Sequence, residues 1–121
     1  MKFRIKKEVL EMILESSKDT YPNEFAAFLR GERGVVYEIL LLPGTISGRG
    51  SAIYQLYMKP IDFTIVGTVH SHPSGVTLPS DEDLLLFSRS GDIHIIVGFP
   101  FRFHDFSAYD RNGKKVDLEI I

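Results

Sequence analysis

His70 and His72 stand one residue apart at the end of the β-branched, apolar run Ile61-Asp62-Phe63-Thr64-Ile65-Val66-Gly67-Thr68-Val69, and Asp83 opens a second apolar run further on. Two imidazoles and one carboxylate are the donor types of a hydrolytic zinc centre, where three protein ligands at about 2.0 to 2.2 Å leave a fourth position for water. Successive side chains of a strand point to opposite faces, so the two histidines face the same way. Pro73 cannot donate to a sheet ladder and ends the strand, leaving both rings at its C-terminal rim, where α/β sheets commonly bind ligands. Ser80-Asp81-Glu82-Asp83 precedes Leu84-Leu85-Leu86-Phe87, so Ser80 reads as a helix N-cap and Asp83 as a residue of the first turn. A strand-to-helix corner would bring His70, His72 and Asp83 together.

Hydrolysis also needs a group that takes a proton from water and returns one to the leaving amine. Glu24 is the candidate, because in Tyr21-Pro22-Asn23-Glu24-Phe25-Ala26-Ala27-Phe28-Leu29 it stands at the mouth of an otherwise apolar segment, partly withdrawn from water. Other chemistry-bearing residues have plainer readings. Asp81 and Glu82 suit the positive end of a helix dipole. His94, inside Ile93-His94-Ile95-Ile96-Val97-Gly98, reads as a satisfied strand histidine, and His104 as part of a surface loop. Neither is assigned to the metal.

An upstream glutamate, then His70-Ser71-His72-Pro73, six residues, Ser80, two residues and Asp83 resembles the JAMM motif of MPN-domain zinc metalloproteases. The resemblance spans nearly the whole chain and is closest to the short prokaryotic and archaeal members. It implies that His70, His72 and Asp83 ligate one Zn2+ with a water as fourth ligand. It implies further that Glu24 activates the water and carries its proton, and that Ser80 hydrogen-bonds the developing oxyanion. The N-cap and oxyanion readings of Ser80 are compatible, since a hydroxyl that caps through its lone pair can donate its proton elsewhere.

The chain has 121 residues, 44% of them hydrophobic and 25% charged, which suits one domain over residues 1–121 with a core of its own. A net charge of −2, with no stripe of Lys and Arg, gives no footprint for nucleic acid or an anionic membrane. There is no secretory leader and no apolar run long enough to span a bilayer, so the expected location is the cytoplasm. The lack of cysteine removes thiolate nucleophiles, the Pro-Cys-x-x-Cys zinc pair of nucleobase deaminases, and disulfides.

The elements that must position these residues alternate along the chain. Apolar residues at Val9, Leu10, Ile13 and Leu14 predict an amphipathic helix over Lys7 to Lys18. Phe25 to Leu29 and Val35 to Leu42 flank Gly31-Glu32-Arg33-Gly34 as a hairpin. Ser47-Gly48-Arg49-Gly50-Ser51 is a loop, Ser51 to Met58 and Phe63 to His72 are strands, and Ser80 to Ser88 is a second helix closed by Gly91. His94 to Gly98, Phe106 to Tyr109 and Lys115 to Ile120 complete the sheet, with a tight primed turn expected at Asn112-Gly113. Phe99, Phe101 and Phe103 read either as an exposed apolar patch or as core. The whole is an α/β domain, a mixed sheet flanked by helices, of the JAB1/MPN or cytidine-deaminase-like kind.

By the resemblance, the expected activity is hydrolysis of the isopeptide bond between the C-terminal glycine of a ubiquitin-like small modifier and a substrate lysine, as a deubiquitinase-like enzyme or desampylase does. A Gly-Gly tail without side chains can lie extended in a narrow slot, which Ser51 to Leu56 or Ser74 to Pro79 would line. The alternatives are a zinc peptidase that processes the C-terminus of a sulfur-carrier protein, a non-catalytic interaction module, and a relative associated with DNA repair. The absence of a basic face argues against the last of these. Oligomeric state is not encoded in any readable feature.

Overall fold

The structure, a computed structural model, describes residues 2–41 and 62–121. The predicted loop at Ser47 to Ser51 and strand at Ser51 to Met58 lie outside the described residues. Helix α1 (Lys7–Thr20) buries Val9, Leu10, Ile13, Leu14 and Ser17, a stripe at helical spacing with polar residues opposite. It runs two residues beyond the predicted Lys18, and within the helix the Ser17 hydroxyl donates to the Ile13 carbonyl at 2.8 Å. Truncating a fully buried member such as Ile13 to Ala would cost about 2 to 5 kcal/mol.

Among the described residues eight strands form one mixed sheet: β1 (Phe3–Ile5), β2 (Ala26–Glu32), β3 (Val35–Leu40), β4 (Ile65–His72), β5 (Ile93–Gly98), β6 (Phe106–Tyr109), β7 (Lys115–Val116) and β8 (Leu118–Ile120). Their order is β7-β6-β5-β4-β2-β3-β1-β8. A second helix, α2 (Asp81–Arg89), carries the chain between the parallel pair β4 and β5. β7 and β8 lie at opposite ends of the order, yet only Asp117 separates them in sequence. One residue reaches only about 3.3 to 3.6 Å. Neighbouring strands alone stand about 4.8 Å apart, so the sheet has to curl until its ends meet. α1 fills the curl: its apolar stripe shares one cluster with Ile5, Val36, Leu29, Val69, Ile95, Val97 and Ala108, against which Val116 and Leu118 also pack.

The opposite face carries His70 and His72. Along β4, Thr68, His70 and His72 alternate with Val69, which faces α1. On β5, His94 and Ile96 alternate with Ile93, Ile95 and Val97 in the same way. α2 covers this second face with Leu86 beside Ala26 and Phe28, and with Phe87 beside Ile96 and Tyr109. With helices on both sides, every residue of β5 is buried.

Several boundaries differ from the sequence reading. β4 begins at Ile65 rather than Phe63, because the Asp62 carboxylate accepts from the Thr64 amide and hydroxyl at 2.9 and 2.6 Å and holds a turn there. β3 ends at Leu40, two residues short of the expected Leu42. The predicted last strand divides at Asp117 into β7 and β8, and the short β1 carries no alternation long enough to announce it. The primed turn is not at Asn112-Gly113. It is at Arg33-Gly34 between β2 and β3, where both residues have positive φ, 54° and 79°. At the other hairpin Gly113 alone is left-handed, at φ 80°. Its amide donates to the Asp110 carbonyl and Asp110 donates to Lys114, the pattern of an ordinary turn followed by a glycine bulge. Of the three phenylalanines, Phe101 is core while Phe99 and Phe103 are exposed.

Candidate metal centre

His70 and His72 project from the end of β4 and Asp83 from the first turn of α2, and one donor atom from each falls within 4.8 Å of the others. The two Nε2 atoms are 3.1 Å apart, His70 Nε2 is 3.1 Å from Asp83 Oδ1, and His72 Nε2 is 3.2 Å from Asp83 Oδ2. Tetrahedral ligands at about 2.0 to 2.1 Å from zinc stand about 3.3 Å from one another, so these spacings, with one carboxylate oxygen toward each ring, suit one such ion. Asp83 Oδ1 is buried and has no well-formed hydrogen bond. A buried carboxylate whose two oxygens each face an imidazole nitrogen is costly without a cation to share, and the three donors are the set zinc takes.

The local sequence builds this corner. Ser80 Oγ accepts the Asp83 amide at 3.1 Å while Asp83 Oδ2 accepts the Ser80 amide at 2.9 Å, a capping box that starts α2 and fixes the carboxylate. Asp83 is buried whereas Ser80 is exposed at the edge of the site. His72 is oriented from behind, with its Nδ1 2.7 Å from the Val76 carbonyl. That carbonyl can only accept, so Nδ1 carries the proton and the Nε2 lone pair faces Asp83 and His70.

Burial disfavours a charged His72 ring. Hydrogen bonding to Asp83 and Val76, with the charges of Asp83 and Glu24 added, outweighs it and holds the pKa above its ordinary value. For Asp83, too, burial opposes the charged form, but His70 and His72 hold the carboxyl well below the usual carboxylate range. The site is therefore arranged around an ionised Asp83.

Glu24 is placed by the sheet register. Ala26 pairs with His70, and continuing the antiparallel count sets Phe25 opposite Ser71 and Glu24 opposite His72. Glu24 is half-buried and lines an open cavity of about 470 Å3 with Tyr21, Pro22, His72, Pro73 and Ser74. The structure thus gathers His70, His72 and Asp83 into one cluster, puts Glu24 on the wall beside His72, and leaves Ser80 at the helix start.

His94 lies apart from the cluster as a buried strand residue, its Nδ1 2.7 Å from Thr68 Oγ1 and its Nε2 3.0 Å from the Gly91 carbonyl. His104 is on the surface, 73% exposed. Two contributors gave no sequence signal. The Val76 carbonyl is a backbone group that any residue could supply, and Ser71 had no assigned part although its hydroxyl receives the Phe25 amide.

Residues 6–112 match the family described as prokaryotic homologs of the JAB domain. A probable metalloprotease of Haloferax volcanii is 41% identical over 124 residues, covering 94% of this chain and 76% of that protein. Among solved structures, one described as a JAMM metalloprotease-like zinc site in the proteasome and signalosome superposes with a TM-score of 0.79. It is 38% identical, over 100% of this chain and 99% of the other. A JAB1/MPN domain protein from Archaeoglobus fulgidus gives the same TM-score, 0.79, at 36% identity over 99% and 98% of the two chains.

Proposed function

The chain belongs to the family of prokaryotic homologs of the JAB domain, and on that premise we propose that it is a JAMM-type zinc isopeptidase. Its substrate is the bond between the C-terminal glycine of a ubiquitin-like small modifier and a lysine side chain. The observation that supports this reading best is the convergence of His70, His72 and Asp83 at the end of β4, with the Glu24 carboxylate on the wall of the same open cavity. A metalloprotease function agrees with the related Haloferax protein.

His70, His72 and Asp83 would hold the ion, which when bound supplies a Lewis acid for the scissile carbonyl and eases deprotonation of the attacking water. Glu24 takes one proton from that water as its oxygen forms a bond to the carbonyl carbon. It then gives the proton to the lysine nitrogen as the carbon–nitrogen bond breaks. Ser80 lies on the exposed side of the capping box, and its hydroxyl proton is available to the carbonyl oxygen as negative charge builds there. A glycine tail has no side chain to clash with the walls formed by Tyr21, Pro22 and Pro73, and it suits a slot that must deliver a backbone carbonyl rather than select a residue.

The test is to incubate zinc-loaded protein with a ubiquitin-like modifier joined to lysine through its Gly-Gly tail, with and without chelator, and to follow release by mass spectrometry. Chelator-sensitive cleavage after the terminal glycine is expected. Cleavage of an α-peptide extension of a sulfur-carrier protein with none of the isopeptide would replace the substrate assignment. Absence of both in a protein that holds zinc would overturn the activity.

A further inference from the structure

The segment between His72 and Ser80 carries the Val76 carbonyl that orients His72, so whatever fixes this segment fixes a metal-facing imidazole. It is fastened at Thr77, from β6. The Tyr109 hydroxyl donates to the Thr77 carbonyl at 2.7 Å, and the Thr77 and Ser107 hydroxyls lie 2.9 Å apart. Tyr109 and Ser107 are both buried, and they face the same side of the sheet because they stand two apart on β6. To reach them the segment crosses the end of β5 at Gly98, the residue paired with His72. A Cβ there would meet the Gly75 carbonyl oxygen at 2.8 Å and Thr77 Cγ2 at 3.0 Å, so the missing side chain is the seat on which the segment lies.

We propose that Tyr109 and Ser107 are positioning residues for the metal centre, acting through Thr77 and the Val76 carbonyl to hold the His72 ring in its ligating tautomer and orientation. The inference rests on the reading of His70, His72 and Asp83 as a zinc site and goes beyond it, because neither residue touches a donor atom. Partners that orient a ligating histidine commonly change metal affinity by 10- to 100-fold when removed. Here the effect passes through one intermediate residue. Fixed supports of this kind also set how much a ligand must reorganise when the ion arrives.

The experiment measures zinc affinity by competition with a chromophoric chelator, together with the visible spectrum of the cobalt-loaded protein, for the unsubstituted chain, Tyr109→Phe, Ser107→Ala and the double variant. The double variant is expected to bind zinc about tenfold more weakly, the lower end for such partners, with a shifted cobalt spectrum. Thr77→Val is expected to follow Ser107→Ala, and Thr77→Ser to restore affinity. Thermal unfolding of the metal-free proteins is followed in parallel. Variants that melt lower but keep full zinc affinity and an unchanged cobalt spectrum would make the tether merely structural and overturn the inference. If Tyr109→Phe does not fold, Ser107→Ala and Thr77→Val put the same question through the other bond. Failure of the unsubstituted chain to bind zinc, with His72→Ala no different, would overturn the metal site itself.

Discussion

Ser71, the residue between the two histidines, holds Phe25 by both of its backbone groups: its hydroxyl accepts the Phe25 amide at 2.8 Å, and its own amide donates to the Phe25 carbonyl at 2.9 Å. The sheet ladder proper ends one pair earlier, at Ala26 and His70. This side-chain bond therefore extends the register by one step and fixes Glu24 beside His72. Ser71→Ala would leave a buried amide without its acceptor, at a cost of about 1 to 3 kcal/mol. The expected outcome is a lower melting temperature together with reduced turnover and nearly unchanged zinc affinity. Turnover equal to that of the unsubstituted protein would show that Glu24 is placed without Ser71.

Glu24→Gln keeps the shape of the cavity wall but removes the proton carrier. It is expected to retain zinc and to lose most turnover, on the order of 100-fold or more for a general acid/base. His72→Ala and Asp83→Ala should lose the metal as well. Metal content measured beside activity separates the two classes, and zinc loss in Glu24→Gln equal to that in Asp83→Ala would make Glu24 a structural residue.

Ser80→Ala removes both an N-cap acceptor and a hydroxyl donor. Loss of the cap costs about 1 kcal/mol of stability. Loss of an oxyanion donor costs about 3 to 4 kcal/mol in the transition state. Ser80→Asp would keep the cap without the donor, so a variant that recovers stability but not turnover assigns the hydroxyl to catalysis. Recovery of both would leave Ser80 as a cap alone.

His94, which is not one of the metal donors, sets a pH dependence of stability. Burial is the main cause of its depressed pKa, about 4, with the nearby charge of His70 adding to it. The ring is stacked on Phe87 at 4.3 Å, its Nε2 faces the Gly91 carbonyl, and Nδ1 faces the Thr68 hydroxyl, so the neutral form is satisfied. A folded pKa below the ordinary 6.5 means that the unfolded chain takes up the proton first. The stabilising effect is complete above about pH 6.5 and is lost as pH falls toward 4, by about 3 kcal/mol. Denaturation of chelator-treated protein across this range should show a steeper loss for the unsubstituted chain than for His94→Gln. Parallel curves would refute it.

The convergence of His70, His72 and Asp83 was legible in the sequence because strand alternation and helix capping are both rules about spacing, and these residues obey them together with Ser80. What holds those donors was not. A backbone carbonyl such as that of Val76 has no letter of its own, and the hydroxyls of Ser71, Thr77 and Tyr109 acquire partners only when distant strands are laid side by side. Long apolar elements such as α1, β4 and β5 were readable for the same reason that they are stable, since each buries a periodic face. β1, β7 and β8 are too short to show a period, and their places at or next to the ends of the sheet are set by closure around α1. At the turns, Asn112-Gly113 had the favoured composition, but the strand geometry required a primed turn at Arg33-Gly34 instead.

The meeting of β7 and β8 at Asp117 also bears on how the protein keeps to itself in a crowded solution. Unpaired strand edges are templates on which other chains polymerise, and native sheets protect them by shortening or hiding them. Among the described strands the outermost two have only two and three residues, one of them beginning at Lys115 with Lys114 just before it, and each end of the sheet is brought round to the other. A passing extended chain therefore finds almost no run of free amides and carbonyls at that seam. Among the described residues the ends of the sheet thus offer little backbone for an extended chain to pair with, and the open cavity beside His72 and Glu24 lies away from that seam.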